Sequence, residues 1–166
     1  MRLFDFSEDS AVSAWRPMND VVMGGVSTGR LRRASPRTAE FIGRVSFQNN
    51  GGFASVRSGG APLDLSGYSG LELRIRGDGR IYKVNIKTES SFDGVLYRAY
   101  LPTDAQRWLS PRLDFETFEP TFRGRIVTQA VPADLTRVHS LGLMISNRQE
   151  GPFRLELEWI AAYAER

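Results

Sequence analysis

Phe153-Arg154-Leu155-Glu156-Leu157-Glu158-Trp159 alternates an apolar with a charged residue at every step. Side chains of an extended chain point to opposite faces in turn, so this stretch reads as a strand with one face in a core and the other in water. The same period of two returns in Leu71, Leu73 and Ile75, set against Glu72, Arg74 and Arg76. It returns again in Tyr82, Val84 and Ile86 against Lys83, Asn85 and Lys87, and in Val95, Tyr97, Ala99 and Leu101 against Leu96, Arg98 and Tyr100. Residues 41–47, 52–57 and 141–146 are apolar on both sides, as strands are where a second layer covers them. Gly77-Asp78-Gly79, between two of the alternating stretches, has the small, φ-permissive residues of a tight hairpin turn and predicts an antiparallel meander.

Gly (16) and Pro (8) are spread so that the longest run free of both is Met1 to Arg16, which leaves room for helices of only a few turns. One helical turn each is expected within residues 7–15 and 103–108. Roughly nine strands, turns at short spacing and no crossover-length helix predict an all-β fold, an antiparallel β-sandwich or jelly roll. At 166 residues and 41% hydrophobic, the chain suits one domain over 1–166 with a sizeable core.

Composition removes much chemistry. With no Cys and a single His (His139), zinc fingers, iron-sulfur clusters, thiol nucleophiles and disulfide frameworks are excluded or nearly so. Net charge is +3, and of 22 basic residues only Lys83 and Lys87 are lysine. That excess is mild and dispersed, so no nucleic-acid partner is expected. No run approaches the ~18 apolar residues of a membrane span. Acids at Asp5, Glu8 and Asp9 stand where a targeting peptide is apolar or rich in Arg and Ser, so a cytoplasmic protein is expected.

Gly25-Val26-Ser27-Thr28-Gly29 matches the nucleophile-elbow pattern, which needs a strand-to-helix turn to aim its serine at a histidine base. The following Arg30-Leu31-Arg32-Arg33-Ala34-Ser35-Pro36 has no helical apolar stripe, and only His139 could serve as base, so a non-enzymatic protein is expected. Asp114, Glu116 and Glu119, or Glu156 and Glu158 on one strand, could form an acid/base pair or a hard-cation site, but solvated carboxylates are the simpler reading. Asp5, Asp9, Asp64 and Asp114 are generic candidates for a structural calcium. No metal site is assigned, and without a G-x-G-x-x-G on a strand-to-helix turn no dinucleotide or other cofactor is expected.

Three polar, glycine-rich stretches interrupt the apolar strands: residues 19–27, residues 48–57, and Phe122-Arg123-Gly124-Arg125. Paired glycines allow positive φ or close backbone approach, and Asn, Asp, Ser and Arg offer hydrogen-bonding groups to a ligand. The candidate binding residues are Asn19, Asp20, Met23, Gly24, Gly25, Ser27, Asn50, Gly51, Gly52, Arg57, Arg123 and Asn147. The alternative is that these glycines mark bulges and sheet corners.

Trp15, Asn19-Asp20-Val21-Val22-Met23-Gly24-Gly25-Val26-Ser27, Phe41-Ile42-Gly43, Asn50-Gly51-Gly52-Phe53-Ala54-Ser55-Val56-Arg57, Phe118-Glu119-Pro120-Thr121-Phe122-Arg123-Gly124 and Ile145-Ser146-Asn147-Arg148-Gln149-Glu150-Gly151-Pro152-Phe153-Arg154-Leu155 follow one another in the order of a known family. In these motifs the chain resembles the domain of complex I intermediate-associated protein 30. The resemblance implies a galactose-binding-domain-like β-sandwich and a chaperone-like assembly factor for respiratory complex I or another multisubunit complex. A protein partner is therefore expected. Two surfaces could hold it: a rim of Asn19, Asp20, Asn50, Arg57 and Arg123, or a sheet face of Arg74, Arg76, Lys83, Asn85, Lys87, Arg98 and Tyr100. The alternative is a carbohydrate-binding module with Trp15, Trp108 or Tyr100 as its stacking platform.

Overall fold

The computed structural model describes residues 1–18, 25–48, 51–90 and 94–165. Among them two antiparallel sheets face each other, and the expected β-sandwich is what the chain forms. The first sheet runs β10 (Arg112–Asp114), β6 (Gly70–Arg76), β14 (Gly151–Tyr163), β4 (Thr38–Val45), β3 (Thr28–Ser35), with β1 (Arg2–Asp5) beside β14 and β9 (Trp108–Leu109) beside β6. The second runs β12 (Arg125–Ile126), β11 (Glu119–Phe122), β8 (Leu96–Pro102), β7 (Ile81–Lys87), β13 (Ser140–Ile145), β5 (Ala54–Ser58), β2 (Trp15–Pro17). A short helix, α1 (Asp9–Ser13), occupies the first of the two stretches expected to turn.

The alternating patterns place the core. Leu71, Leu73 and Ile75 of β6 and Leu155 and Leu157 of β14 point in from one sheet, and Tyr82, Val84 and Ile86 of β7 and Leu141, Leu143 and Ile145 of β13 from the other. Each such side chain contributes about 1.5–3 kcal/mol by leaving water. Phe41, Phe153 and Tyr82 meet edge to face at the centre, the Phe41 and Phe153 rings 4.8 Å apart.

Gly77-Asp78-Gly79 does not close a hairpin. β6 and β7 lie in different sheets, and the tripeptide carries the chain across the sandwich. A period of two reveals which face of a strand is apolar but not which sheet the strand joins, and here both apolar faces meet the same core from opposite sides. A Cβ on Gly77 would fall 2.4 Å from the Thr103 side chain, and Gly79 has φ +88°. Asp78 holds the crossing: its carboxylate accepts from Tyr82 Oη, from Arg80 N and, at 2.8 Å, from Arg154 N on β14. β7 and β8 do pair as consecutive antiparallel strands, but the chain then passes through β9 and β10 of the first sheet before β11 joins β8, so the expected meander is limited to that pair.

Residues 103–108 also differ from expectation. They form a turn with Gln106 at φ 58°, not a helical turn, and enter β9 at Trp108. β3 was not foreseen as a strand, because its outward residues Arg30 and Arg32 alternate with Gly29, Leu31 and Arg33 rather than with a row of large apolar side chains.

Candidate functional site: the outward face of the second sheet

β7 turns Tyr82, Val84 and Ile86 inward, which leaves Lys83, Asn85 and Lys87 facing away from the core. These three are nevertheless only 6%, 7% and 2% exposed. Lysine is rarely buried to this extent, and these are the chain's only two lysines.

Strand register identifies their neighbours, since directly opposite residues share a face. Lys83 stands between Tyr100 on β8 and Met144 on β13. Asn85 stands between Arg98 and Gly142, and beyond Gly142 come Arg57 on β5 and Arg16 on β2. Lys83 Nζ donates to Asn147 Oδ1 at 3.1 Å and lies 5.8 Å from the centre of the Tyr100 ring. The Arg98 guanidinium stacks on the same ring at 4.9 Å, and its buried Nε has no hydrogen-bond partner. Burial, reinforced by the charge of Arg98, pulls the Lys83 ammonium down to about 8. Burial alone pulls the Arg57 guanidinium below its ordinary value.

The outward face of the first sheet handles its charges differently. Arg32 donates to Glu40 at 2.8 Å, Arg154 binds both Glu40 and Glu156, and Arg76 reaches Glu156 at 2.6 Å. Thr38 Oγ1 donates to Glu156 at 2.7 Å. Burial works to raise both carboxyls, but the bonds from Arg32 and Arg154 to Glu40, and from Thr38 and Arg76 to Glu156, outweigh it and hold both below the ordinary value. Glu156 is thus neither solvated nor a proton-trading partner of Glu158, which pairs with Arg74. On the second sheet, Arg16, Arg57, Lys83 and Arg98 form no ion pair among the described residues, and Arg16 and Arg57 stand directly opposite each other. Like charges so placed destabilise a strand pair.

Of the residues singled out from sequence, Asn19, Asp20, Met23, Gly24 and Asn50 lie outside the described residues. Gly25 and Ser27 are buried where the chain enters β3. The Ser27 hydroxyl donates to Ser46 O and accepts from Ser46 N, so the elbow-like motif ties two strands together and leads into a strand instead of a helix. Gly51 and Gly52 precede β5, and Gly52 needs its φ of +142°. Arg57 and Asn147 do reach the outward face of the second sheet. Asn147, exposed beyond β13 with φ 60°, adopts the left-handed conformation that Asn tolerates better than most residues. Arg123 sits in the β11–β12 turn against Phe122, with β8, β7 and β13 between its hairpin and Arg57, so the two do not share one rim.

The sheet face expected from sequence is likewise divided. Arg74 and Arg76 belong to the first sheet, while Lys83, Asn85, Lys87, Arg98 and Tyr100 belong to the second. Arg16, Gly142 and Met144 join the face only through strand order, which no local pattern carries. Among the aromatic platforms, Trp15 is 5% exposed and packs on Phe4 and Phe6. Trp108 lies beneath Arg74 and Arg76, and Tyr100 is 41% exposed.

Asp5 and Asp64 close turns through Ser7 and Ser66, Asp9 pairs with Arg33, and Asp114 accepts from Tyr163 Oη. No three potential metal ligands come together among the described residues. A shallow depression of about 390 Å³ lies over Thr28, Gly29, Arg30, Arg32, Ile42 and Gly43, and no carboxylate or imidazole lines it among the described residues. No helix among the described residues is long and apolar enough to cross a membrane.

Comparison with known proteins agrees with this fold. The chain superposes with a TM-score of 0.75 on the family 11 carbohydrate-binding module of a cellulosomal cellulase of Clostridium thermocellum, at 14% identity over 99% of this chain and 94% of the other. It is 26% identical over 180 residues to the mitochondrial complex I intermediate-associated protein 30 of Drosophila melanogaster, covering 95% of this chain and 61% of that protein. The Mus musculus protein of the same name is 26% identical over 183 residues, covering 98% of this chain and 56% of that protein. The chain therefore spans little more than half the length of these relatives. Their naming as mitochondrial proteins overturns the expectation of a cytoplasmic protein, which rested on acids near Met1. Residues 4–157 match the model of the complex I intermediate-associated protein 30 family, the family to which the chain belongs.

Proposed function

We propose that the chain is a non-enzymatic binding module that holds a protein partner during assembly of a multisubunit complex, with an intermediate of respiratory complex I as its client. Family membership and the names of the relatives support the assembly role. The observation that carries the choice of surface is the contrast between the two outward faces. One neutralises its arginines internally. The other gathers Arg57, Lys83 and Arg98 in a desolvated patch with no counter-charge paired to them among the described residues, an arrangement suited to a partner's polar groups. The absence of a free nucleophile in the elbow-like motif supports a binding role over a hydrolytic one, since the Ser27 hydroxyl is engaged by Ser46 at both lone pair and proton.

Affinity capture with the purified chain from a native mitochondrial lysate, at mild salt, tests the assembly role. Specific recovery of complex I subunits by the wild type, reduced by Arg98→Glu, is the expected result. Recovery of no subunit of that complex or of another membrane complex refutes it. A second reading, carbohydrate binding, is favoured by the half-exposed Tyr100 ring between Lys83 and Arg98 on a scaffold of carbohydrate-binding-module type. An oligosaccharide array probed with the wild type and Tyr100→Ala separates it from the first.

A further inference from the structure

We propose that the outward face of the second sheet receives an extended acidic segment of the partner, with carboxylates at alternate positions bound by Arg57, Arg98 and Lys83; this rests on the protein-binding reading above. The geometry suggests both the chemistry and the spacing. Arg57 and Arg98 lie in one cross-strand row, Arg57–Gly142–Asn85–Arg98. They are three strand spacings apart, about 14 Å. Residues i and i+4 of an extended chain are separated by about the same distance and point to the same side.

The residue between them, i+2, would lie over Gly142 and Asn85. Gly142 adds no side chain to the row there, and its backbone packs closely against Asn85 and Val56. Lys83, diagonal to Arg98 at about 7–8 Å, offers a third cation beside the row.

Carboxylates fit better than hydroxyl groups because of what the face lacks. Among the described residues the buried Arg98 Nε has no acceptor, and Arg57 is desolvated without a paired counter-charge. Arg16 and Arg57 oppose each other across the outermost strand pair. An incoming anion supplies the counter-charge that this cluster of cations lacks, and the planar guanidinium favours a two-oxygen acceptor. The first sheet shows what the same arginine chemistry looks like once satisfied: Glu40 and Glu156 fill the gaps between Arg32, Arg154 and Arg76.

The test measures fluorescence anisotropy of a short fluorescein-labelled peptide carrying glutamate at every second position, titrated with the full chain near neutral pH. Matched peptides carry glutamine at those positions, or the same number of glutamates in one block. The alternating glutamate peptide should bind, more weakly as salt rises from about 50 to about 300 mM, and the glutamine peptide should not. Lys83→Met with Arg98→Met should weaken binding at least about tenfold, and Arg57→Met, checked separately for an intact melt, should weaken it as well. Arg30→Gln with Arg44→Gln, which removes equal charge from exposed positions of the first sheet, should leave it within about twofold.

Equal loss in that first-sheet variant, undiminished binding in the Lys83/Arg98 variant, equal affinity for the blocked peptide, or displacement by millimolar inorganic phosphate overturns the proposal. Complex I subunits captured equally by the wild type and the Lys83/Arg98 variant also overturn it, while leaving the assembly role standing. Peptide binding as expected without capture of any such subunit supports the face chemistry and fails the assembly role.

Discussion

Replacing Lys83 with methionine keeps the apolar stem and deletes the charge. Burial, with Arg98 adding to it, moves the Lys83 ammonium from its ordinary 10.5 to about 8. At about 1.4 kcal/mol per pH unit, holding the proton in the fold costs about 3 kcal/mol. Against this, the variant loses the hydrogen bond to Asn147, about 1 kcal/mol. A net gain of about 1–3 kcal/mol is expected for Lys83→Met near pH 7, which raises the melting temperature by roughly 3–8 °C in a domain of this size. Below about pH 8 both folded and unfolded wild-type chains carry the proton, so the full cost stands. Between about 8 and 10.5 the unfolded chain binds the extra proton, and wild-type stability climbs with pH. The advantage of the variant is therefore greatest near neutrality and shrinks as pH rises through that window. Chemical denaturation followed by circular dichroism near pH 7 and near pH 9.5 measures it. A variant less stable than wild type by more than about 1 kcal/mol near neutrality, or an advantage unchanged by pH, refutes the view of Lys83 as a charge kept at a cost to the fold.

Other outcomes concern the frame that presents this face. Glu156→Gln leaves Arg76 and Arg154 short of a carboxylate and should cost about 1–3 kcal/mol in thermal or urea melts. Because Glu40 and Glu156 are both held below the ordinary 4.5, the stability they supply is full above about pH 4.5 and is lost as pH falls through their lowered values. Acid titration of the melting temperature should therefore be shallower in Glu156→Gln than in wild type. Gly43→Ala would place a Cβ 2.0 Å from Thr28 O and 2.7 Å from Gly29 Cα, backbone atoms that cannot swing aside. It should cost more than about 3 kcal/mol, and a melting temperature within about 2 °C of wild type would contradict the close pairing of β3 and β4. Phe41→Ala, emptying the space between Phe153 and Tyr82, should cost about 3–5 kcal/mol by the same assay.

The two-layer fold was legible in the sequence because Leu71-Leu73-Ile75, Tyr82-Val84-Ile86 and Leu155-Leu157 each commit one face of a strand to the core. Sheet membership was not. The difference between a hairpin and a crossing at Gly77-Asp78-Gly79 lies in whether the two strands pair, and Asp78 settles it through Tyr82 and Arg154, 76 residues apart in the latter case. That single ambiguity grouped Arg74 and Arg76 with Lys83 and Arg98, although the two sets sit on opposite outer surfaces. The candidate site was legible in its residue types, since Arg57, Lys83, Asn85, Arg98, Tyr100 and Asn147 were all named. Its burial was not, because alternation marks Lys83 and Lys87 as turned away from the core and says nothing of how far they are covered. Glu156 carried the same ambiguity: its burial follows from Thr38 and Arg76, which converge on it from two other stretches of chain and join Arg154 of its own strand.

β14, 13 residues long, is the middle strand of the first sheet and pairs with β1, β4 and β6. A ribosome makes it after all three. Until Tyr163 has emerged, a nascent chain carries β4 and β6 with their inner edges unsatisfied and their apolar faces without a completed opposite layer, the condition in which strands pair with the wrong neighbour. The first sheet therefore closes only once β14 has left the ribosome, and whatever guards such edges in the cell has its work during that interval.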